Sequence, residues 1–283
     1  MGTIPSAPCP ASPYNQLYIY YFQGRLTSSF DAFGDAFIGN WEEGDTSFLF
    51  FSEPAGNGII DRLLAGQPQL TLEDQFRMTY DQWHGEPVSP FRAGRFLIMP
   101  PWEQAAARET DVPIILDPGV VFGAGSHPTT RDCLDAIEML MLDQGEPVLS
   151  TLDLGTGTGL LAIAAARLGS LRNIAVDNNF LAARTARKNA GLNNLEDRVS
   201  IVCGSAEDFL EPAADLLIAN IHYDVMKRLI VRPGFLSKKW FVLSGLLRTE
   251  AGLIESALSR LPVTLMEKWV RDGVWHTLLG RIG

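Results

Sequence analysis

The sequence predicts an α/β fold, a mostly parallel sheet with one antiparallel strand, preceded by a small α+β domain. Three observations support this. From about residue 110, strand-like and helical runs alternate, the pattern of a parallel sheet covered on both faces. The last two strand-like runs are joined only by Arg271-Asp272-Gly273, and Asp-Gly is a hairpin signal, so one strand runs against the others. Before residue 83 the pattern differs: aromatic strand-like segments are interleaved with short helical ones.

Residues 1–14 are rich in Pro, Ser and Ala and are expected to form a flexible arm. Residues 15–82 read as the small α+β domain. Leu17–Phe22 and Ser47–Ser52 are aromatic strands, and Phe30, Phe33 and Phe37 fall on one helical face between them. A short helix over Ile59–Leu64 and a strand over Gln75–Tyr80 complete a strand–helix–strand–helix–strand order. Residues 83–109 hold Pro87, Pro90, Pro100 and Pro101 and are expected to be a linker containing one strand, Phe96–Met99. In residues 110–283 the strand-like runs are Leu149–Leu154, Asn173–Val176, Val199–Cys203, Leu216–Ala219, Phe241–Ser244, Val263–Val270 and Trp275–Leu279. Helical runs cover Leu160–Leu168, Phe180–Asn189, Asp224–Leu229 and Glu250–Leu261, with Gly169 and Gly191 placed as helix ends require.

Composition narrows the function. A net charge of −10 and a pI near 4.9 argue against a direct nucleic-acid partner, because such binding needs a basic stripe. A small molecule or a basic protein suits the charge better. Cys9, Cys133 and Cys203 are too few and too scattered for a disulfide framework or a zinc cluster, so no metal is expected. Cys133 and Cys203 sit in apolar stretches and read as small core residues. No membrane span and no secretory signal is discernible, and the expected location is cytoplasmic.

The chemistry centres on Asp153-Leu-Gly-Thr-Gly-Thr-Gly159, between an apolar strand and an apolar helix. Gly155, Gly157 and Gly159 permit a sharp turn and close approach of backbone, and the helix N-terminus offers N–H groups to an anion. In a dinucleotide enzyme the third glycine stands three residues after the second. That position is Leu160 here, which disfavours a nicotinamide dehydrogenase. Asp177 ends the next strand, where an acid can accept hydrogen bonds from both hydroxyls of a ribose. The Asp-x-Gly-x-Gly-x-Gly spacing suits a Rossmann-like, class I methyltransferase sheet, with S-adenosyl-L-methionine as cofactor and its carboxylate as the anion.

A second segment narrows the family. Pro100 and Trp102 precede Leu116-Asp-Pro-Gly-Val-Val-Phe-Gly-Ala-Gly-Ser-His-Pro-Thr-Thr130, which leads into a helix through about Leu142. With Asp153–Ala165, Ala219-Asn-Ile221 and Ser244-Gly245 following in order, residues 83–283 resemble the PrmA-type bacterial methyltransferases of the large-subunit ribosomal protein L-eleven. The resemblance implies methylation of lysine or N-terminal amino groups on a basic protein, a large-subunit ribosomal protein, with residues 15–82 recognising it. It also implies cofactor contacts by Thr130, Gly155, Asp177 and Asn220, and Phe122 is a candidate cover for the cofactor. Asp153, Gly157 and Gly159 complete the expected cofactor set; no residue is marked as a catalytic base.

This chain departs from the family pattern at Val121, Ala124, Thr156 and His222. Asn179-Phe180 also stands where the family has Asp-Pro. Two alternatives stay open: methylation of another protein or a small amine, and cofactor binding without turnover.

Overall fold

The computed structural model describes residues 12–27, 33–143 and 145–283. Most of the arm expected over 1–14 lies outside them. The chain divides into two compact units, Met1–Ser89 and Pro90–Gly283.

Among its described residues the first unit has a four-stranded antiparallel sheet and two helices. Its strands are β1 (Leu17–Gln23), β2 (Phe37–Glu43), β3 (Thr46–Phe51) and β4 (Thr71–Met78), in the order β2-β3-β1-β4. Helix α1 (Ile59–Gly66) follows β3, and α2 (Tyr80–His84) follows β4. Alternation along β1 sorts its side chains: Tyr20 and Phe22 join Leu49, Phe51, Leu63 and Leu70 in one apolar cluster. Thr79 caps α2 by accepting from the Gln82 amide, and Gln82 returns the bond, a reciprocal cap that lets five residues form a helix.

Two expectations fail here. Phe37 does not continue a helix but opens β2, paired opposite Phe51, and the Phe33 and Phe37 rings lie 4.7 Å apart. Aromatic contact, which needs no helix, accounts for their spacing; Phe30 lies outside the described residues. Among the described residues the element order is therefore three strands, a helix, a strand and a helix.

The second unit begins with β5 (Phe91–Ala93), β6 (Phe96–Met99) and β7 (Val112–Ile115), a three-stranded sheet. Much of this sheet lies within 83–109, where the prolines suggested a linker; Phe96, Leu97 and Ile98 are buried. Next come α3 (Pro128–Asp143), β8 (Ser150–Leu154), α4 (Leu160–Arg167), β9 (Arg172–Asp177), α5 (Phe180–Leu192), β10 (Val199–Cys203), β11 (Leu216–Asn220) and α6 (Tyr223–Leu229). The chain ends with β12 (Trp240–Leu247), α7 (Arg248–Leu258), β13 (Val263–Arg271) and β14 (Trp275–Ile282).

Seven of these strands form one sheet in the order β10-β9-β8-β11-β12-β14-β13. β14 is antiparallel to both neighbours, while the other pairings are parallel. Asp272 and Gly273 both have positive φ, and Val274 N donates to Arg271 O, the two-residue turn that Asp-Gly favours. Both faces of the sheet are apolar. Leu216, Ile218 and Val242 pack with α3 and α4, whereas Leu217, Ala219, Phe241 and Leu243 pack with α6 and α7. Each such fully buried large side chain contributes roughly 1.5–3 kcal/mol.

Cys133 is buried as expected, but Cys203 is exposed: it ends β10, where the edge strand runs out of cover. No helix among the described residues is long and apolar enough to cross a membrane.

Candidate active site

β8, β9 and β11 end along one carboxyl edge of the sheet, next to the point where strand order reverses, and a ligand of an open α/β sheet binds at such a place. The turn after β8 is tied to β9: Gly155 N and Thr156 N both donate to Val176 O, at 2.8 and 3.0 Å. Gly155, Gly157 and Gly159 all have positive φ. Glycine serves close packing of protein on protein here. A Cβ on Gly157 would lie 2.8 Å from the Phe122 carbonyl oxygen, and one on Gly155 would lie 2.0 Å from Ile221 Cγ2.

The 116–130 segment thus rests on the glycine turn, and Thr158 Oγ1 donates to Gly123 O at 2.7 Å. From the other side, Asn189 of α5 donates to the Asp117 and Thr158 carbonyls and accepts from Asp117 N. Lys188 pairs with Asp117 at 2.6 Å. Sequence reasoning missed this clamp. Its signal was Asn189, inside a helix that gains nothing intrinsically from it.

The expected cofactor residues fall together. Asp177 ends β9 and is buried; its Oδ2 accepts from Gly157 N and its Oδ1 from Asn179 N, each at 2.9 Å. A carboxylate oxygen has two lone pairs, so each retains one for a hydroxyl. Burial raises the Asp177 pKa, opposed by those two amides. Asn220 ends β11, and its Nδ2 lies 3.5 Å from Thr130 Oγ1 in the first turn of α3, which joins two residues ninety positions apart. Phe122 is 69% exposed on the loop above the turn, so it is no buried anchor.

Asp153 is fully buried at the foot of the turn. Its Oδ2 accepts from Thr156 Oγ1 at 2.5 Å, while Oδ1 finds no partner among the described residues. Burial pushes its carboxyl up to about 7, against the Thr156 hydroxyl and the Ala162 amide, which favour the charged form. A carboxyl that is raised on folding contributes stability that is full below its unfolded pKa and is lost as pH rises through the folded one. Asp153→Asn should therefore flatten the fall in thermal stability between about pH 4 and 7. Melting curves for the variant that fall with pH as steeply as wild type would contradict this origin.

Three departures from the family pattern have local explanations. Asn179 caps α5 by accepting from Leu181 N and Ala182 N, a task Asp performs equally well. Thr156 supplies the hydroxyl on Asp153, and His222 caps α6 through Nδ1, which accepts from Asp224 N at 3.3 Å. Nothing in the structure explains Ala124. His127 is held by Thr129 Oγ1 at 2.7 Å and meets the Trp275 ring edge-on, which makes it part of the approach to α3.

Behind Thr130, buried Asp132 accepts from Arg271 Nε at 2.6 Å and from Thr277 at 3.3 Å, and Thr277 pairs with Ser244. This chain of bonds fastens α3 to the C-terminal hairpin. A cavity of about 270 Å³ lined by Ser150, Arg172 and Pro212 lies at the amino ends of β8 and β9, away from all the predicted residues.

A seven-stranded sheet with one reversed strand next to its edge, and a glycine turn and acid on adjacent strand ends, define the class I methyltransferase fold. The chain belongs to the ribosomal protein L11 methyltransferase (PrmA) family, whose sequence pattern matches residues 67–282, and is accordingly an S-adenosylmethionine-dependent methyltransferase.

The ribosomal protein L11 methyltransferase of Pelotomaculum thermopropionicum is 38% identical over 236 residues, 79% of this chain and 72% of its own length. That of Heliobacterium modesticaldum is 35% identical over 242 residues, 80% of this chain and 75% of its own. The crystal structure of a ribosomal protein L11 methylase from Lactobacillus delbrueckii subsp. bulgaricus superposes with a TM-score of 0.60 at 29% identity. It spans 69% of this chain and all of that one.

Proposed function

We propose that this enzyme methylates lysine or N-terminal amino groups of a basic protein, with a ribosomal protein of the L11 kind as acceptor. The observation that carries the reading is the coincidence, at one sheet edge, of the glycine turn, Asp177 and the Thr130–Asn220 pair. The residues fit the cofactor. Asp177 keeps lone pairs for the ribose, the turn from Gly155 to Gly159 leads into the N-terminus of α4, and Asp153 holds an unpartnered buried oxygen. Thr130, Asn220 and the exposed Phe122 complete the proposed contacts.

S-adenosylmethionine supplies an electrophilic methyl group on a sulfonium. The chain's own residues align the acceptor amine and keep water out. A free lysine titrates near about 10.4, and desolvation favours the neutral amine that reacts. The names of the relatives support the acceptor, as does the acidic balance of the chain.

Residues 15–82 are proposed to hold the acceptor, for every cofactor residue lies in the second unit. A radiolabelled-methyl assay on purified L11 tests both points. The full chain should label L11, whereas a chain beginning near residue 90 should bind S-adenosylhomocysteine but lose most of that labelling, because remote binding energy orients the reacting group. Undiminished labelling by the shortened chain would refute the division of labour.

A further inference from the structure

Charge is distributed unevenly along this chain. The first 89 residues contain eleven Asp and Glu, three Arg and no Lys, a formal −8 of the total −10. The rest of the chain is close to neutral. Within the first unit, the face of the sheet bearing Tyr20, Phe22, Leu49 and Phe51 packs with Leu63 of α1. The opposite face is covered at one end, where Leu17, Ile19 and Phe50 are buried and Trp83 of α2 meets the Phe50 ring at 4.9 Å.

At the other end of that face the carboxylates are exposed and the rings are half-buried. Strand register sets Trp41, Phe48, Tyr21 and Asp74 side by side across all four strands. Tyr21 and Phe48 stack at 4.8 Å with planes 13° apart, and all three rings of the row are half-buried. Glu43 extends the face beyond Trp41, and Phe76, 40% exposed, extends it beyond Asp74. The one basic residue on the four strands, Arg77, lies on the opposite face over Tyr18. Trp41, Phe48 and Tyr21 lie outside the residues that the family's sequence pattern matches, whereas Asp74 and Phe76 lie within them.

Aromatic faces rimmed by carboxylates attract guanidinium and ammonium groups. Nearby negative charge steers a cationic partner and repels an anionic one. We propose that the Tyr21–Phe48 face docks an arginine- and lysine-rich segment of the acceptor protein, its cationic heads beside these rings and against Glu43 and Asp74. The inference rests on the reading that the acceptor is a basic protein, and adds where that protein is held.

The test compares the full-length enzyme with E43K/D74K and with Phe76→Ser, all at exposed positions. It uses purified L11 as acceptor and S-adenosylhomocysteine as the cofactor probe. The charge reversal should raise KM for L11 about tenfold or more, about 1.4 kcal/mol per decade, while kcat and the S-adenosylhomocysteine Kd stay unchanged. Phe76→Ser should raise KM as well, with no change of charge. Added salt should raise the wild-type KM and leave that of E43K/D74K almost flat. An unchanged KM in both folded variants, or a fall in kcat alone, would overturn the docking face and leave the acceptor reading standing. Failure of the wild type to methylate L11, with cofactor bound normally, would remove the acceptor reading and the docking proposal with it.

Discussion

Gly157→Ala should destabilise the enzyme by about 2–5 kcal/mol and weaken its hold on cofactor. Two costs add. Gly157 has φ of 56°, a left-handed conformation that costs a residue with a Cβ about 1–2 kcal/mol. The new methyl would also lie 2.8 Å from the Phe122 carbonyl, which is backbone and cannot swing aside, and overpacking of that kind costs about 1–3 kcal/mol. Relief requires the 116–130 segment to lift off the turn, so Phe122 and Thr130 move relative to Asp177. Melting temperature should fall by roughly 2–4 °C per kcal/mol for a unit of this size. Gly252→Ala in α7 is the control: nothing stands within 4 Å of its Cβ, and the change should be neutral or stabilise by about 0.5–1 kcal/mol. Wild-type melting and cofactor affinity in Gly157→Ala would show that the loops do not need their close approach.

Asp177→Ala should weaken cofactor binding ten- to a hundred-fold. Hydrogen bonds to a charged group contribute about 1.5–3 kcal/mol, and about 1.4 kcal/mol is one decade of affinity. Asp177 has a second task, because its two oxygens hold the Gly157 and Asn179 amides. The variant should therefore also melt earlier, and affinity must be measured by calorimetry on protein shown to be folded. An unchanged Kd there would reduce Asp177 to a strut between the turn and α5.

Much of this was legible in the sequence, for physical reasons. Every strand of the large sheet was marked by an apolar run between turn signals, and the reversed strand by Asp272-Gly273. The acid and the glycines were legible because a strand end and a left-handed turn admit few residue types. Other features were hidden. Gly39 and Asn40 break the alternation of β2, so Phe37 passed for a helical residue. The three residues of β5 are too short to show a period. Pairings such as Asp132 with Arg271, 139 positions apart, carry no local signal at all. The sequence marks the glycines as turn residues, which their positive φ bears out, but not that their Cβ positions face Ile221, Phe122 and Ala186, which are protein neighbours. Cys203 looked apolar in sequence and proved exposed, because periodicity does not reveal where a strand outruns its cover.

The most direct test of the whole reading is a calorimetric titration of the wild-type enzyme with S-adenosylhomocysteine and, separately, with NAD. The site around Asp153–Gly159 and Asp177 predicts tight, one-to-one binding of S-adenosylhomocysteine, lost in large part in Asp177→Ala, and much weaker binding of NAD. Tight NAD binding with no heat from S-adenosylhomocysteine would contradict it.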